Sequence, residues 1–272
     1  MLEGFFLCSM RLQVEQIPVD VSSAESERFR SPLLLLHGLW TGSWIWQPLA
    51  GYLANRGWEV WAPSFLEAGL VSDWQALASG IERIKQTLPS PPILVAHDTA
   101  GVFATLLADV LQAPALVAIA PLVAPADAGE RGIFAWPRFW TTRVWGQAVE
   151  PPTGPARRAF LGRLTGKPTL LSDSGPGFRA LASSRLLLPK GVRCPGLVLG
   201  GTHDTITTPA VSTRIAARFG WPCSLYQGRG HFPMLEPGWE VLASDLHRWL
   251  VQTLGTSVIL FDEGDGPEPE GP

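Results

Sequence analysis

The chain has 272 residues, of which 46% are hydrophobic and 17% charged, and its formal net charge is −3. A length of this order fits one α/β unit with an insertion, and so apolar a composition argues against a generally disordered chain. The charge total gives no footing for nucleic acid. Three cysteines at Cys8, Cys194 and Cys223, an odd number without metal-type spacing, argue against a disulfide framework and for reduced, buried thiols.

The amino end carries Glu3 where a secretion signal needs positive charge, and its apolar run is short. No stretch reaches the roughly 20 apolar residues that a membrane helix requires, so the expectation is a soluble, cytoplasmic protein without a transmembrane segment. Residues 5–21 read as one or two strands, followed by a polar loop. Leu33–Leu36 is wholly apolar and ends at His37-Gly38, the mark of a strand buried on both faces. A helix pattern over 47–55 leads through Gly57 to a strand at 58–62, closed by Pro63. Next come a helix at 73–87, a strand at 93–96, a tight turn of small residues, a helix to 111 and a buried strand at 115–120. Strands alternating with helices at this pace predict an α/β protein, a mostly parallel sheet flanked by helices.

The rhythm breaks at Pro121. Residues 122–190 are rich in Pro, Gly, Arg and Trp, with helical patches but no clear strand. Alternation resumes with a strand at 196–200, a helix after Pro209, a strand at 223–226 and a last helix at 239–254. The implied division is a core of 1–121 and 191–255, a helical cap at 122–190, and a disordered acidic Gly/Pro tail at 256–272. The cap would lie over the carboxyl edge of the sheet, where open α/β sheets place their ligands. It holds ten basic side chains against four acidic ones, Asp127, Glu130, Glu150 and Asp173, a local balance of +6. A solvated surface accounts for this; the sharper reading is a lid that attracts an anionic ligand or partner.

Four short motifs follow one another in order: His37-Gly38-Leu39-Trp40, Ala96-His97-Asp98-Thr99-Ala100, Gly201-Thr202-His203-Asp204 and Gly230-His231-Phe232-Pro233. The second has the layout of a nucleophile elbow, a sharp strand-to-helix turn that lifts one side chain over the sheet edge. Ala96, Asp98 and Ala100 stand where the pattern Gly-x-Ser-x-Gly has its fixed residues, with Gly101 one step on. A carboxylate there is already ionised at neutral pH and attacks saturated carbon, leaving an alkyl ester that an imidazole helps water to hydrolyse. Attack on an ester carbonyl would give an anhydride instead. Asp98 therefore points toward carbon–halogen bonds or epoxides and away from simple acyl transfer.

Together these residues resemble the α/β-hydrolase family over about 31–250. The resemblance implies an α/β-hydrolase fold with a helical cap, acting on a small-molecule substrate. It makes Asp98 the nucleophile, His231 the base, Asp204 the acid that orients it, and the backbone N–H groups of Leu39 and Thr99 the oxyanion hole. The plainer readings are a core histidine at 231 and a helix cap at Asp204, with Asp127 as the rival acid. His37 is expected to shape its turn, His97 to pack beside the elbow, and His203 and His247 to lie at the surface.

His-Asp at the elbow is similar to haloalkane dehalogenases, fluoroacetate dehalogenases and epoxide hydrolases. Thr99 stands where the first carry Trp and the second Arg, and Leu39 where many of the first carry Asn. The cap tyrosines of epoxide hydrolases have no counterpart, since Tyr52 and Tyr226 are the sole tyrosines and neither is in the cap. Trp40, Trp136 and Trp140 are the candidate substrate-pocket residues, the last two with indole N–H groups suited to an anion; apolar wall packing is the alternative. Trp46 is expected in the core.

Three functions fit: a dehalogenase-like hydrolase with covalent Asp98; a hydrolase or lyase of the same fold with Asp98 as base or anchor, toward an ester or thioester; and a non-catalytic binding or assembly protein. No cofactor motif and no metal-ligand cluster is visible: there is no Gly-x-Gly-x-x-Gly and no phosphate loop.

Overall fold

The computed structural model describes residues 8–69, 74–130, 150–164 and 186–260, with Cys8 and Trp74 described by backbone alone. Eight strands, β1 (Cys8–Val14), β2 (Ile17–Ser23), β3 (Leu33–Leu36), β4 (Val60–Pro63), β5 (Ile93–His97), β6 (Leu116–Ile119), β7 (Gly196–Gly201) and β8 (Cys223–Tyr226), form one sheet. Its order is β1-β2-β4-β3-β5-β6-β7-β8. The hairpin β1–β2 is antiparallel, β2 pairs antiparallel with β4, and every pair from β4 to β8 is parallel. The mostly parallel sheet expected from the strand–helix alternation is therefore present, and β3 to β8 each lie within two residues of their expected bounds.

The apolar runs explain the layering. All residues of β3, β4, β5, β6 and β7 are buried, as strands covered on both faces must be. Removing one leucine side chain of β3 from water contributes roughly 1.5–3 kcal/mol, so four in a row anchor the centre of the sheet. The covering helices are α1 (Gln47–Ala54), α2 (Trp74–Thr87), α3 (Ala100–Leu111), α6 (Pro209–Phe219) and α7 (Trp239–Leu254). Between β6 and β7 the short turn α4 (Pro125–Ala128) and helix α5 (Gly154–Leu161) are described.

Helix ends follow local chemistry. Helix α6 starts where Thr208 Oγ1 accepts from the Val211 N–H at 3.4 Å with Pro209 in the first turn, and stops at Gly220 in the left-handed region. Helix α3 approaches the loop after β6 closely because Gly101 has no side chain; a Cβ there would lie 2.9 Å from Pro121 Cβ. The glycine missing at position 100 is thus supplied one residue later.

Parallel register brings the strand ends level. Leu36 pairs with Ala96, His97 with Ile119, and Ile119 with Leu199. The loops after β3, β5 and β7 consequently leave one edge of the sheet together, and three of the four motifs lie on them.

Three expectations need correction. Residues 256–260 belong with the core, not the tail: Val258 is buried, its carbonyl accepts from Arg30 N–H at 2.7 Å, and Leu260 N–H donates to Arg28 O at 2.8 Å. Val258 and Ile259 are apolar, which gives that stretch a reason to pack before the acidic residues begin. Cys194 and Cys223 are free but half-buried, not fully buried. His247 is half-buried and accepts a 3.0 Å bond from Trp58 Nε1, because α7 packs against the loop before β4. His203 is exposed as expected. Among the described residues no helix is long and apolar enough to cross a membrane.

Candidate active site

Asp98 occupies the step from β5 to α3 with φ +57°, the left-handed region that costs a residue with a Cβ about 1–2 kcal/mol. The turn is held by its own backbone. Asp98 N–H donates to Ile119 O at 3.1 Å, and Asp98 O accepts from Gly101 N–H at 3.0 Å and Leu122 N–H at 3.1 Å. The side chain projects at the sheet edge just ahead of the α3 N-terminus, whose dipole favours negative charge. Oδ1 accepts a short bond from the Thr99 N–H. Oδ2 faces His231 Nε2 at 3.4 Å.

The second carboxylate is fixed just as firmly. Asp204 Oδ1 accepts from Ile206 N–H at 2.8 Å and Thr207 N–H at 3.0 Å, which leaves Oδ2 to accept from His231 Nδ1–H at 2.9 Å. Gly201, at the end of β7, lets this loop meet the His231 loop: a Cβ there would lie 2.2 Å from Arg229 O and 2.3 Å from Gly230 O. Carboxylate, imidazole and carboxylate form one line, and all three residues are buried. Asp127, the rival acid, accepts from Arg218 Nη1 at 2.9 Å and Leu188 N–H at 2.8 Å and has no bond to His231. Its place is structural.

The electrostatics follow from burial and neighbours. Burial pushes the Asp98 carboxyl above the usual carboxylate range, while the His231 hydrogen bond and charge pull it back. Burial also works against a charged His231, but Asp204 and then Asp98 outweigh it and hold the imidazolium up to about 10. His37 is driven down to about 4 by burial. This agrees with its bonds: Nδ1–H donates to Gly38 O at 3.0 Å, and Nε2 accepts from Phe65 N–H at 3.1 Å, which requires a neutral ring. His37 shapes its turn.

That turn presses on the elbow. A Cβ on Gly38 would lie 2.3 Å from Asp98 Cβ, 2.8 Å from Asp98 Cγ and 2.9 Å from His97 O. Leu39 follows on the same buried turn. Of the two N–H groups expected to face the site, that of Thr99 bonds Asp98; Leu39 N–H makes no bond to Asp98 among the described residues.

Trp40 is fully buried and left-handed at φ +59°. Its ring meets Phe160 of α5 edge-on at 5.0 Å between centroids. Phe160 also lies 5.4 Å from the His231 ring and 5.1 Å from Phe232. Trp40 therefore packs into an aromatic cover together with a residue of the β6–β7 insertion. Trp136 and Trp140 lie outside the described residues. Trp46 is wholly buried, its ring edge-on to His97 at 6.4 Å.

Sequence reasoning missed two residues here. Phe160 sits in a segment without clear periodicity. Glu236 is buried five residues after His231, and its carboxylate accepts from Gly230 N–H at 2.9 and 3.1 Å. His97, Asp98 and His231 bring one donor atom each within 4.8 Å, the one such metal-compatible grouping among the described residues. Each already has protein partners that account for its place: the His231 carbonyl for His97, Thr99 for Asp98, and Asp204 for His231.

An open-edged, mostly parallel sheet, an elbow after β5, an acid after β7 and a histidine after β8 define the architecture of the α/β hydrolases. A family model described as the alpha/beta hydrolase family matches residues 33–244, and the chain belongs to that family. No curated protein is a significant match to the sequence. Among solved structures, a monoacylglycerol lipase of Paleococcus ferrophilus is similar at TM-score 0.67 and 20% identity, covering 86% of this chain and 99% of that one. A soluble variant of monoglyceride lipase from Saccharomyces cerevisiae gives 0.65 at 15% identity, covering 93% and 97%. An epoxide hydrolase from Vigna radiata gives 0.61 at 16% identity, covering 92% and 100%. At these identities the likeness is one of fold.

Proposed function

We propose that the protein is a hydrolase in which Asp98 attacks a saturated carbon of a small to medium apolar substrate, as a dehalogenase does. The observation that carries this reading is the pair of different environments at the two oxygens of Asp98. Oδ1 accepts from the Thr99 N–H, and Oδ2 is paired with the imidazole alone, 3.4 Å from His231 Nε2. Oδ2 forms the new bond to carbon while the carbon–halogen bond breaks and halide leaves with its electron pair. The product is an ester of Asp98.

Hydrolysis then needs a neutral His231, and alkylation itself supplies one. Asp98 helps keep the proton on His231 while it is charged. Once esterified it is neutral, that part of the support disappears while Asp204 remains, and the imidazolium gives up its proton to solvent more readily. Neutral His231, with Asp204 holding Nδ1–H, takes a proton from water as that water attacks the Asp98 carbonyl carbon. Negative charge develops on Oδ1, where the Thr99 N–H already points; Leu39 N–H is the proposed second donor. The alkoxide leaves and takes the proton of the newly added hydroxyl to become the alcohol, so that ionised Asp98 and the imidazolium return. The balance is alkyl halide and water to alcohol, halide and a proton.

The fold neighbours act on other bonds, and two features argue against importing those activities. Serine is absent from the elbow, which disfavours the lipase route. Tyr226 bonds Asp245 and Tyr52 packs on Trp239 and Arg56, so neither tyrosine is placed to protonate an opening epoxide. A second reading has one observation in its favour: burial raises the proton affinity of Asp98, as suits a carboxylate that accepts a proton from water in ester hydrolysis.

The test is halide release from 1-bromoalkanes and 1-chloroalkanes of increasing chain length. The proposal expects one halide per alcohol formed and no turnover by Asp98→Asn. Ester hydrolysis without halide release, surviving in Asp98→Asn, would replace it with the second reading.

A further inference from the structure

His97 precedes Asp98 at the end of β5 and is fully buried. Its Nε2 lies 2.9 Å from the backbone carbonyl of His231, 134 residues away in sequence. A carbonyl only accepts, so the ring proton is on Nε2 and Nε2–H donates. The imidazole also packs against the His231 ring at 4.8 Å between centroids, tilted by 58°, and against Phe232 at 4.7 Å. Trp46 meets its outer side edge-on. On the other side of the same loop, Glu236 holds the Gly230 N–H. The backbone is thus gripped just before His231 and at His231 itself.

We infer that His97 is a positioning residue for His231: its Nε2–H holds the His231 carbonyl and its ring backs the imidazole. The strand end that presents Asp98 therefore also sets the place of its partner. The inference rests on the reading of Asp98 and His231 as reacting partners, and it goes beyond that reading by assigning the distance between them to a third side chain. Asp98 follows His97 in the left-handed turn that ends the strand, so one short, rigid stretch reaches both the His231 imidazole and the loop that carries it. Alternatives of similar volume fail in a specific way. Phenylalanine fills the space and donates nothing. Asparagine places its amide near the Nδ1 position, too short to reach the carbonyl. Glutamine places an N–H donor near the Nε2 position.

The test uses the far-downfield proton resonance of the His231 Nδ1–H···Asp204 bond in the intact protein, a readout that needs no substrate. It therefore stands or falls separately from the dehalogenase reading. The wild type and His97→Gln are expected to show the resonance with similar protection from solvent exchange. His97→Phe and His97→Asn are expected to lose it or broaden it beyond detection while remaining folded by circular dichroism. With two variants that offer no donor within reach of the carbonyl, failure of one to fold leaves the other to report. If either folded variant of this pair keeps the wild-type resonance and exchange rate, or if His97→Gln loses it while folded, the positioning role is overturned and His97 is a packing residue alone.

Discussion

Replacing Gly38 with alanine tests whether the first motif exists to let Asp98 stand where it does. The new Cβ would lie 2.3 Å from Asp98 Cβ and 2.8 Å from its Cγ, against about 3.4 Å for ordinary contact, so something must give by about 1 Å. Asp98 has little room to retreat, since its N–H and carbonyl make three backbone bonds with Ile119, Gly101 and Leu122. The side of the turn that bears Gly38 is equally fixed, because His37 binds Gly38 O and the Phe65 N–H, and Thr41 Oγ1 donates to Gly38 O at 3.1 Å. Overpacking of a tight core costs about 1–3 kcal/mol, and a clash this close with backbone on both sides belongs at the upper end. For a domain of this size about 3 kcal/mol corresponds to a fall in Tm of roughly 6–12 °C. A displacement of about 1 Å at the reacting oxygen is expected to lower turnover about 100-fold as well. Thermal melts together with turnover of whichever substrate releases halide measure both effects. An alanine variant that melts within a degree or two of wild type, with its turnover intact, would refute the reasoning.

The pH dependence of stability follows from His231. Its folded pKa is raised from 6.5 to about 10, so the stabilisation is fully present below the ordinary value and is lost as pH rises through the folded one. Tm should decline from about pH 7 to 10, by an amount equivalent to several kcal/mol, since each tenfold gain in proton affinity is worth ~1.4 kcal/mol. Asp98→Asn removes one of the two carboxylates that hold the proton, so its decline should begin at lower pH; superimposable profiles for the two proteins would contradict this. Asp98→Ser places a hydroxyl beside His231 with the Thr99 N–H available, and should acquire hydrolysis of activated aryl esters. A folded serine variant without that activity would show that the N–H groups do not serve a tetrahedral intermediate.

Much of this architecture is legible in the chain, and the reasons are local. Leu33–Leu36, the run at 93–96 and Leu116–Ile119 are continuous apolar runs bounded by turns, which is what a strand covered on both faces must be. Asp98, Asp204 and His231 are each marked by short-range grammar: a turn of small residues, a glycine ahead of the acid, and a glycine and proline flanking the histidine. What escapes is what depends on distant parts of the chain. Phe160 reaches His231 from an insertion with no clear period, and nothing near residue 160 announces it. His97 reads as a packing residue because its bond partner is a backbone carbonyl on a loop far away in sequence. His247 reads as a surface residue until Trp58 arrives from another element. Trp40 is legible as an aromatic beside the site, but its burial against Phe160 is set by the insertion.

The most direct measurement is mass spectrometry of His231→Phe after incubation with a bromoalkane that wild-type protein converts. Without the imidazole to activate water, an adduct of the alkyl mass should accumulate, and peptide mapping should place it on Asp98. An unmodified protein under conditions where wild type releases halide, or an adduct on any other residue, would contradict the covalent role of Asp98.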